Sequence, residues 1–175
     1  MTKQIISKID AACRQLDSSI TLYFNDGDPI AVHTLSCAAH QIIHDLNRHR
    51  KGPELLFDNL IFKDETRGLA KKYLHKHYNF FKHADSDPNP NGTIEFDPEG
   101  TEIFILGSIK GTVHFGIPMN IYRSAFLAYF AYHNANLLTQ QGLEFYFDKV
   151  PLEMVIVFRF CDRTKFLDLF LKANR

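Results

Sequence analysis

Residues 26–49 read DGDPIAVHTLSCAAHQIIHDLNRH, and the way this stretch starts, repeats and stops constrains what the rest of the chain can build. Asn25, Asp26 and Gly27 are turn formers. Asp28 followed by Pro29 is a helix start: a carboxylate that can cap free N–H groups, then a ring that presets φ at the first helical position. Ala31, Leu35, Ala38, Ala39, Ile42 and Leu46 then return to one side of the projection at about 100° per residue. Lys51-Gly52-Pro53 closes the pattern after His49. The stretch predicts a helix of about five to six turns, with its own start and stop signals.

The same grammar extends in both directions. Ile5, Ile6, Ile9, Cys13, Leu16 and Ile20 recur at helical steps and predict a helix over 3–24. After an irregular or short-helical connection at 54–64, Asp64 can cap a third helix over about 65–83. The prolines and glycine of DSDPNPNG (85–92) then forbid its continuation. Asp97-Pro98-Glu99 repeats the Asp-Pro start and opens a fourth helix to about Phe115. Asn120 caps a fifth to about Leu138, with Phe126, Tyr129, Phe130, His133 and Leu137 on one stripe. Residues 163–173 predict a closing helix. MVIVFRF (154–160) has the β-branched content of a strand but no partner strand, so 143–160 stays open between the two. The expectation is a mainly α, single-domain bundle of about five to seven helices over 1–175.

Composition narrows the function classes. A chain of 175 residues with 45% hydrophobic content, 16 Phe and no Trp can bury an ordinary core. Twenty basic and twenty acidic residues cancel, so no global field draws in nucleic acid or a membrane, and any such partner must be met by a local patch. The three cysteines are far apart and form no CxxC pair, which argues against a disulfide framework or a cysteine zinc site and fits a cytoplasmic protein. Lys8, Asp10 and Arg14 interrupt the N-terminal apolar pattern, and no run approaches ~18 apolar residues, so neither a signal peptide nor a membrane span is expected. Nothing in the sequence signals DNA specifically.

Two helices carry candidate chemistry. On the second, His33, Cys37, His40 and His44 project opposite the apolar side. The simplest expectation is a solvent-facing or subunit-facing stripe of neutral histidines, which would make the chain a homodimeric interaction module. The sharper alternative is a metal site: His40 and His44, one turn apart, can ligate one divalent ion such as zinc. Gln41 stands where a zincin would carry its glutamate, so this HxxxH pair lacks the general base of HExxH. His75, His77 and His83 are available as further ligands.

On the third helix, Arg67, Lys71, Lys72, Lys76 and Lys82 occur without an acid from 67 to 83, followed by an acidic segment from 84 to 102. Leu69, Ala70, Tyr73, Leu74, His77, Phe80 and Phe81 form a broad core face, on which His77 is expected as a buried, hydrogen-bonded histidine. The aromatics are therefore expected to be spent on packing. Lys72, Lys76, Asn79 and His83 line a polar stripe. Asn79 and His83, one turn apart, could engage a phosphate or a 2′-hydroxyl with His83 as general acid or base, and Lys72, Lys76 and Lys82 could hold the RNA backbone. The dipole of the last helical turn also favours Lys82 and His83 without any function. GxSxG, P-loop and GxGxxG patterns are absent, and Asp85-x-Asp87 lacks the twelfth-position glutamate of a calcium loop because Phe96 stands there.

The blocks FNDGDPIAVHTL (24–35) and YNFFKHADSDP (78–88) resemble those of a family of soluble bacterial proteins to which no activity is attached. The order of long helices and the Asn-x-x-x-His ending at Asn79 and His83 resemble HEPN domains. That resemblance implies a helical, often homodimeric bundle and a metal-independent ribonuclease motif in which an arginine and a polar residue precede the histidine. Here Asn79 and His83 match the polar residue and the histidine. Tyr78 occupies the arginine position, and Lys76 is the cation that could replace it, without arginine's planar bidentate grip. RNA binding, or degenerate metal-independent cleavage with no cofactor, is what the resemblance implies.

Overall fold

The computed structural model describes residues 3–53, 55, 76–84, 88–137, 140–147 and 150–174, the side chains of 137 and 141–143 excepted. It is all α among these residues: α1 (Lys8–Phe24), α2 (Pro29–His49), α3 (76–82), α4 (Thr101–His114), α5 (Ile121–His133), α6 (Gln140–Phe147), α7 (Leu152–Phe160) and α8 (Arg163–Ala173), with 3-10 turns at Pro98–Gly100 and Ala135–Leu137. No strand occurs among them, and none of their helices is long and apolar enough to cross a membrane.

Most start signals act as the sequence predicts. Asp28 Oδ1 accepts from the Ala31 N–H at 2.9 Å with Pro29 at the first helical position, and Asn120 Oδ1 accepts from Arg123 N–H at 2.9 Å. Asp162 does the same for α8 through Lys165 N–H at 2.8 Å. Each satisfies one of the donors that a helix start leaves open.

Three boundaries differ from expectation. The first helix begins at Lys8 and not at residue 3, because Ser7 Oγ accepts from Asp10 N–H and fixes the start there. Asp97 caps a 3-10 turn before α4 instead of opening one continuous helix. α5 stops at His133, where the Asn134 side chain donates back to Phe130 O at 3.1 Å, the local competition that makes asparagine a poor interior helix residue. Of the open segment 143–160, residues 143–147 belong to α6 and 152–160 to α7, and 148–149 lie outside the described residues. Val155, Ile156 and Val157 together cost a helix at most ~2 kcal/mol, which the ~1.5–3 kcal/mol from burying Phe158 against the bundle offsets.

The short turn at 25–28 returns α2 along α1, and among the described residues these two make the most extensive helix pair, followed by α2 with α4. α4 is buried on nearly every side through Phe104, Ile105, Ser108, Ile109 and Thr112. Gly111 is what lets it approach: a Cβ there would collide with Ile43 Cγ2. Arg123, 2% exposed, reaches from α5 to Asp17 on α1 with two hydrogen bonds of 2.7 and 3.0 Å. Phe24, Phe126, Tyr129, Tyr132, Phe158 and Phe166 are part of the main core.

Candidate functional site

α3 has an inner and an outer side. Inward, His77 and Tyr78 are buried and Phe81 is half-buried. Phe81 packs edge-on against Phe96 at 5.0 Å between ring centroids and against His33 at 5.9 Å. His77 Nε2 bonds Glu95 O at 2.7 Å, so it is the buried, hydrogen-bonded histidine that the helical projection predicts. This contact ties α3 to the start of the segment leading into α4.

Outward, Lys76, Asn79, Phe80 and His83 fall at steps of three, one and three residues and are all exposed. They form one wall of a cleft of about 450 Å³ whose opposite wall includes Asn89, Pro90, Gly92 and Ile94. That wall is shaped by a local turn, in which Asn89 Oδ1 accepts from Asn91 N–H at 3.0 Å and Asn89 O accepts from Gly92 N–H at 3.0 Å. It is an asparagine-initiated turn held by its own side chain. The cleft therefore unites Lys76, Asn79 and His83, three residues of the sequence-predicted site. Lys72 lies outside the described residues. Lys82 is not part of the lining: its Nζ donates to the Tyr78 hydroxyl at 2.8 Å and sits 4.9 Å from the Tyr78 ring centroid.

Phe80 departs from expectation. The helical projection assigns it to packing, but the ring is 37% exposed and lines the cleft. Of the described residues of that face, His77 and Phe81 turn toward Phe96 and His33, and Phe80 does not. The signal that could have found Phe80 was its spacing: it sits four residues after Lys76 and three before His83, hence on their side.

The histidines of α2 also lie differently from the simplest expectation. His33, Cys37 and His40 are 1%, 3% and 4% exposed, so these three residues of the stripe are interior, while His44 is half-buried. α4 and the residues before it cover them. His33 Nδ1 bonds Thr101 Oγ1 at 2.8 Å, and its Nε2 lies 3.4 Å from Cys37 Sγ. Phe96, Phe104, Phe81 and His77 surround its ring at centroid distances of 5.1 to 6.3 Å. Burial, with His77 adding to it, lowers the His33 pKa to about 4, so the ring is neutral at ordinary pH. Burial likewise raises the Cys37 thiol well above its usual range, which keeps it unreactive.

His40 and His44 do come together, with ring centroids 5.8 Å apart. His40 packs edge-on against Phe104 at 5.4 Å, and His44 Nδ1 lies 3.5 Å from Asp45 Oδ1. Among the described residues no group of three or more His, Cys, Asp or Glu side chains could hold a metal ion, and neither histidine lines the α3 cleft. Comparison with protein-family models, with curated proteins and with solved structures finds no match.

Proposed function

We propose that the chain is a cytoplasmic RNA-binding protein with a HEPN-like core and a degenerate, metal-independent ribonuclease site in the α3 cleft. One observation carries the reading: a cation, an amide, an imidazole and an exposed aromatic ring share one concave surface at Lys76, Asn79, His83 and Phe80. Single-stranded nucleic acid is held by just such a pairing of backbone charge with a stacking ring. Phe80 offers its face to a base, Lys76 attracts the phosphate, and the Asn79 amide can donate to a phosphate oxygen or meet the 2′-hydroxyl. His83 then takes the proton of the 2′-hydroxyl as that oxygen attacks the adjacent phosphorus. The P–O5′ bond breaks, leaving a 2′,3′-cyclic phosphate, and the departing 5′-oxygen takes a proton from His83 or water. Lys76 is a point charge and cannot grip the phosphate bidentately, so binding outweighs cleavage in this reading.

The test uses labelled single-stranded RNA with and without EDTA. Phe80→Ala should weaken binding by ~1–3 kcal/mol, or roughly 5- to 150-fold. Lys76→Ala should reduce the salt slope by about one ion's worth. His83→Ala should abolish any cleavage while sparing binding. Binding that is absent at low salt, or indifferent to both Lys76→Ala and Phe80→Ala, would reject the reading. Cleavage lost only in EDTA would move the chemistry to a metal. Elemental analysis of untagged protein, with His40→Ala and His44→Ala as controls, would then decide whether zinc or a similar ion sits at that pair.

A further inference from the structure

The last four helices do not close fully on one another. α5, α6, α7 and α8 surround a cavity of about 620 Å³, with Met119 and the Val150-Pro151 link completing its lining. That space is far larger than the water-sized voids of a packed interior and lies in the range of small-molecule sites. Each of the four helices contributes an aromatic ring: Tyr132 from α5, Phe145 and Tyr146 from α6, Phe158 from α7 and Phe170 from α8. Among the described residues that line the cavity there is no Asp, Glu, Lys, Arg or His.

We propose that this cavity binds a neutral, largely aromatic small molecule carrying one hydroxyl or carbonyl group. Its walls settle the charge first. An ionised ligand would give up its hydration for a lining that offers no counter-charge, so the occupant is uncharged. The rings then favour an aromatic occupant over an alkyl chain. Placed on four helices, they offer both faces and edges to a flat guest, contacts that ring pairs prefer beyond the area they bury. The polar group follows from Ser124. The buried serines of α1, α2 and α4 each donate to their own helix, Ser19 to Leu16 O, Ser36 to Val32 O and Ser108 to Phe104 O. Ser124, half-buried in the cavity lining, makes no such bond among the described residues, which leaves its hydroxyl to a guest. Tyr132 is already committed as a donor to Tyr146 O at 2.8 Å, which ties α5 to α6, and Asn174 Nδ2 donates to Phe170 O at 2.8 Å. Their oxygens remain acceptors at the wall.

The exposed part of the lining points the same way. Phe145 is 71% and Met119 41% exposed, and both border this one concavity, so a single guest would withdraw both from water. The cavity shares no lining residue with the α3 cleft and stands independently of RNA binding there.

Titration of the full chain with phenylnaphthylamine, an uncharged dye whose fluorescence rises in apolar surroundings, tests the site. Saturable binding of one dye per chain is expected, with a Kd of ~10 μM or below. Anilinonaphthalene sulfonate, the same ring system with a charge added, should bind roughly tenfold more weakly or worse. Ala128→Phe, which places a ring in the cavity from the inner side of α5, should lower the dye's affinity by about tenfold or more with helicity unchanged by circular dichroism. Ser124→Phe obstructs the cavity from a half-buried position and serves if the first variant fails to fold. In dye displacement, Ser124→Ala should weaken naphthol roughly fivefold more than it weakens naphthalene. Ile156→Asp, on the exposed side of α7, should change none of this. Absence of saturable binding, sulfonate binding as tight as the amine's, or binding that both phenylalanine variants leave intact overturns the proposal. Binding lost with Ile156→Asp would place the dye outside the cavity and overturn it equally, and a Ser124→Ala effect that is the same for naphthol and naphthalene overturns the polar contact.

Discussion

Two ring clusters among the described residues differ mainly in the residue at the centre. In the C-terminal cluster the centre is Phe166, fully buried, with Phe24 stacked on it and Tyr129 and Phe158 edge-on at 5.2 Å each. In the cluster between α2, α3 and α4 the centre is His33, equally buried, with Phe96, Phe104, Phe81 and His77 around it. A phenylalanine asks only for contact. A histidine in the same setting needs partners for both ring nitrogens and must stay neutral, so the central residue of the second cluster is tied to Thr101, to Cys37 and to pH, whereas Phe166 is tied to none of these. One region is held by volume, the other by volume and protonation state together.

The largest expected effect strikes the first cluster. Phe166→Ala should cost ~3–5 kcal/mol by leaving a cavity among α1, α5 and α7, and should lower Tm by ~10 °C for a chain of this size. The loss should be the same at pH 7 and pH 5. A marked pH dependence in that difference would break the distinction between the clusters.

Next in size is acid destabilisation through His33. Its folded pKa, about 4, lies below the ordinary histidine value of 6.5. The unfolded chain therefore binds more protons between these values, and the His33 contribution is complete above pH ~6.5 and fades as pH falls toward 4. The full loss is about 3 kcal/mol. Urea midpoints measured from pH 7.5 to 4 should show this slope, and His33→Gln should flatten it even though the variant is less stable throughout. An unchanged slope would sink the assignment.

The smallest effect has the opposite sign. Glu102 accepts a short hydrogen bond from the Tyr23 hydroxyl, and burial raises its carboxyl pKa despite that bond. A raised acid contributes stability that is present below the ordinary carboxylate range and lost as pH rises through the folded value. Glu102→Gln keeps an acceptor for Tyr23 and removes the desolvated charge, so it should raise the urea midpoint slightly at pH 7 and leave it unchanged near pH 4. A midpoint lowered at pH 7 would mean that Arg163 and His133, whose charges oppose the shift, outweigh burial.

What the sequence discloses follows a physical line. Caps are local, so Asp28, Asn120 and the start of the last helix are legible from a few residues each. Ser7 and Asn134 move two boundaries because side-chain competition with the backbone is decided by which alternative the surrounding packing permits. The nature of 143–160 depends on whether a partner strand or a helical neighbour is present, which no window of seven residues contains. At the cleft, Lys76, Asn79 and His83 were legible because helical periodicity alone puts them together. Phe80 was not, because an apolar residue at the edge of an apolar arc belongs to whichever side the neighbouring element leaves open. The burial of His33 and His40 was hidden for the related reason that α4, some 60 residues away, is what covers them. A polar stripe reads as surface until a helix is laid over it.

The hook at the start of α8 sets a condition on when the fold can close during synthesis. Thr164 donates to Phe24 O and Arg163 reaches Asp26, so the turn between the first two helices is fastened by residues made about 140 positions later. At ~5–20 residues per second, the ribosome leaves Phe24 without its stacking partner for roughly 7–30 s. Throughout that interval the nascent helical pair lacks the C-terminal ring that helps hide Phe24 completely in the finished protein.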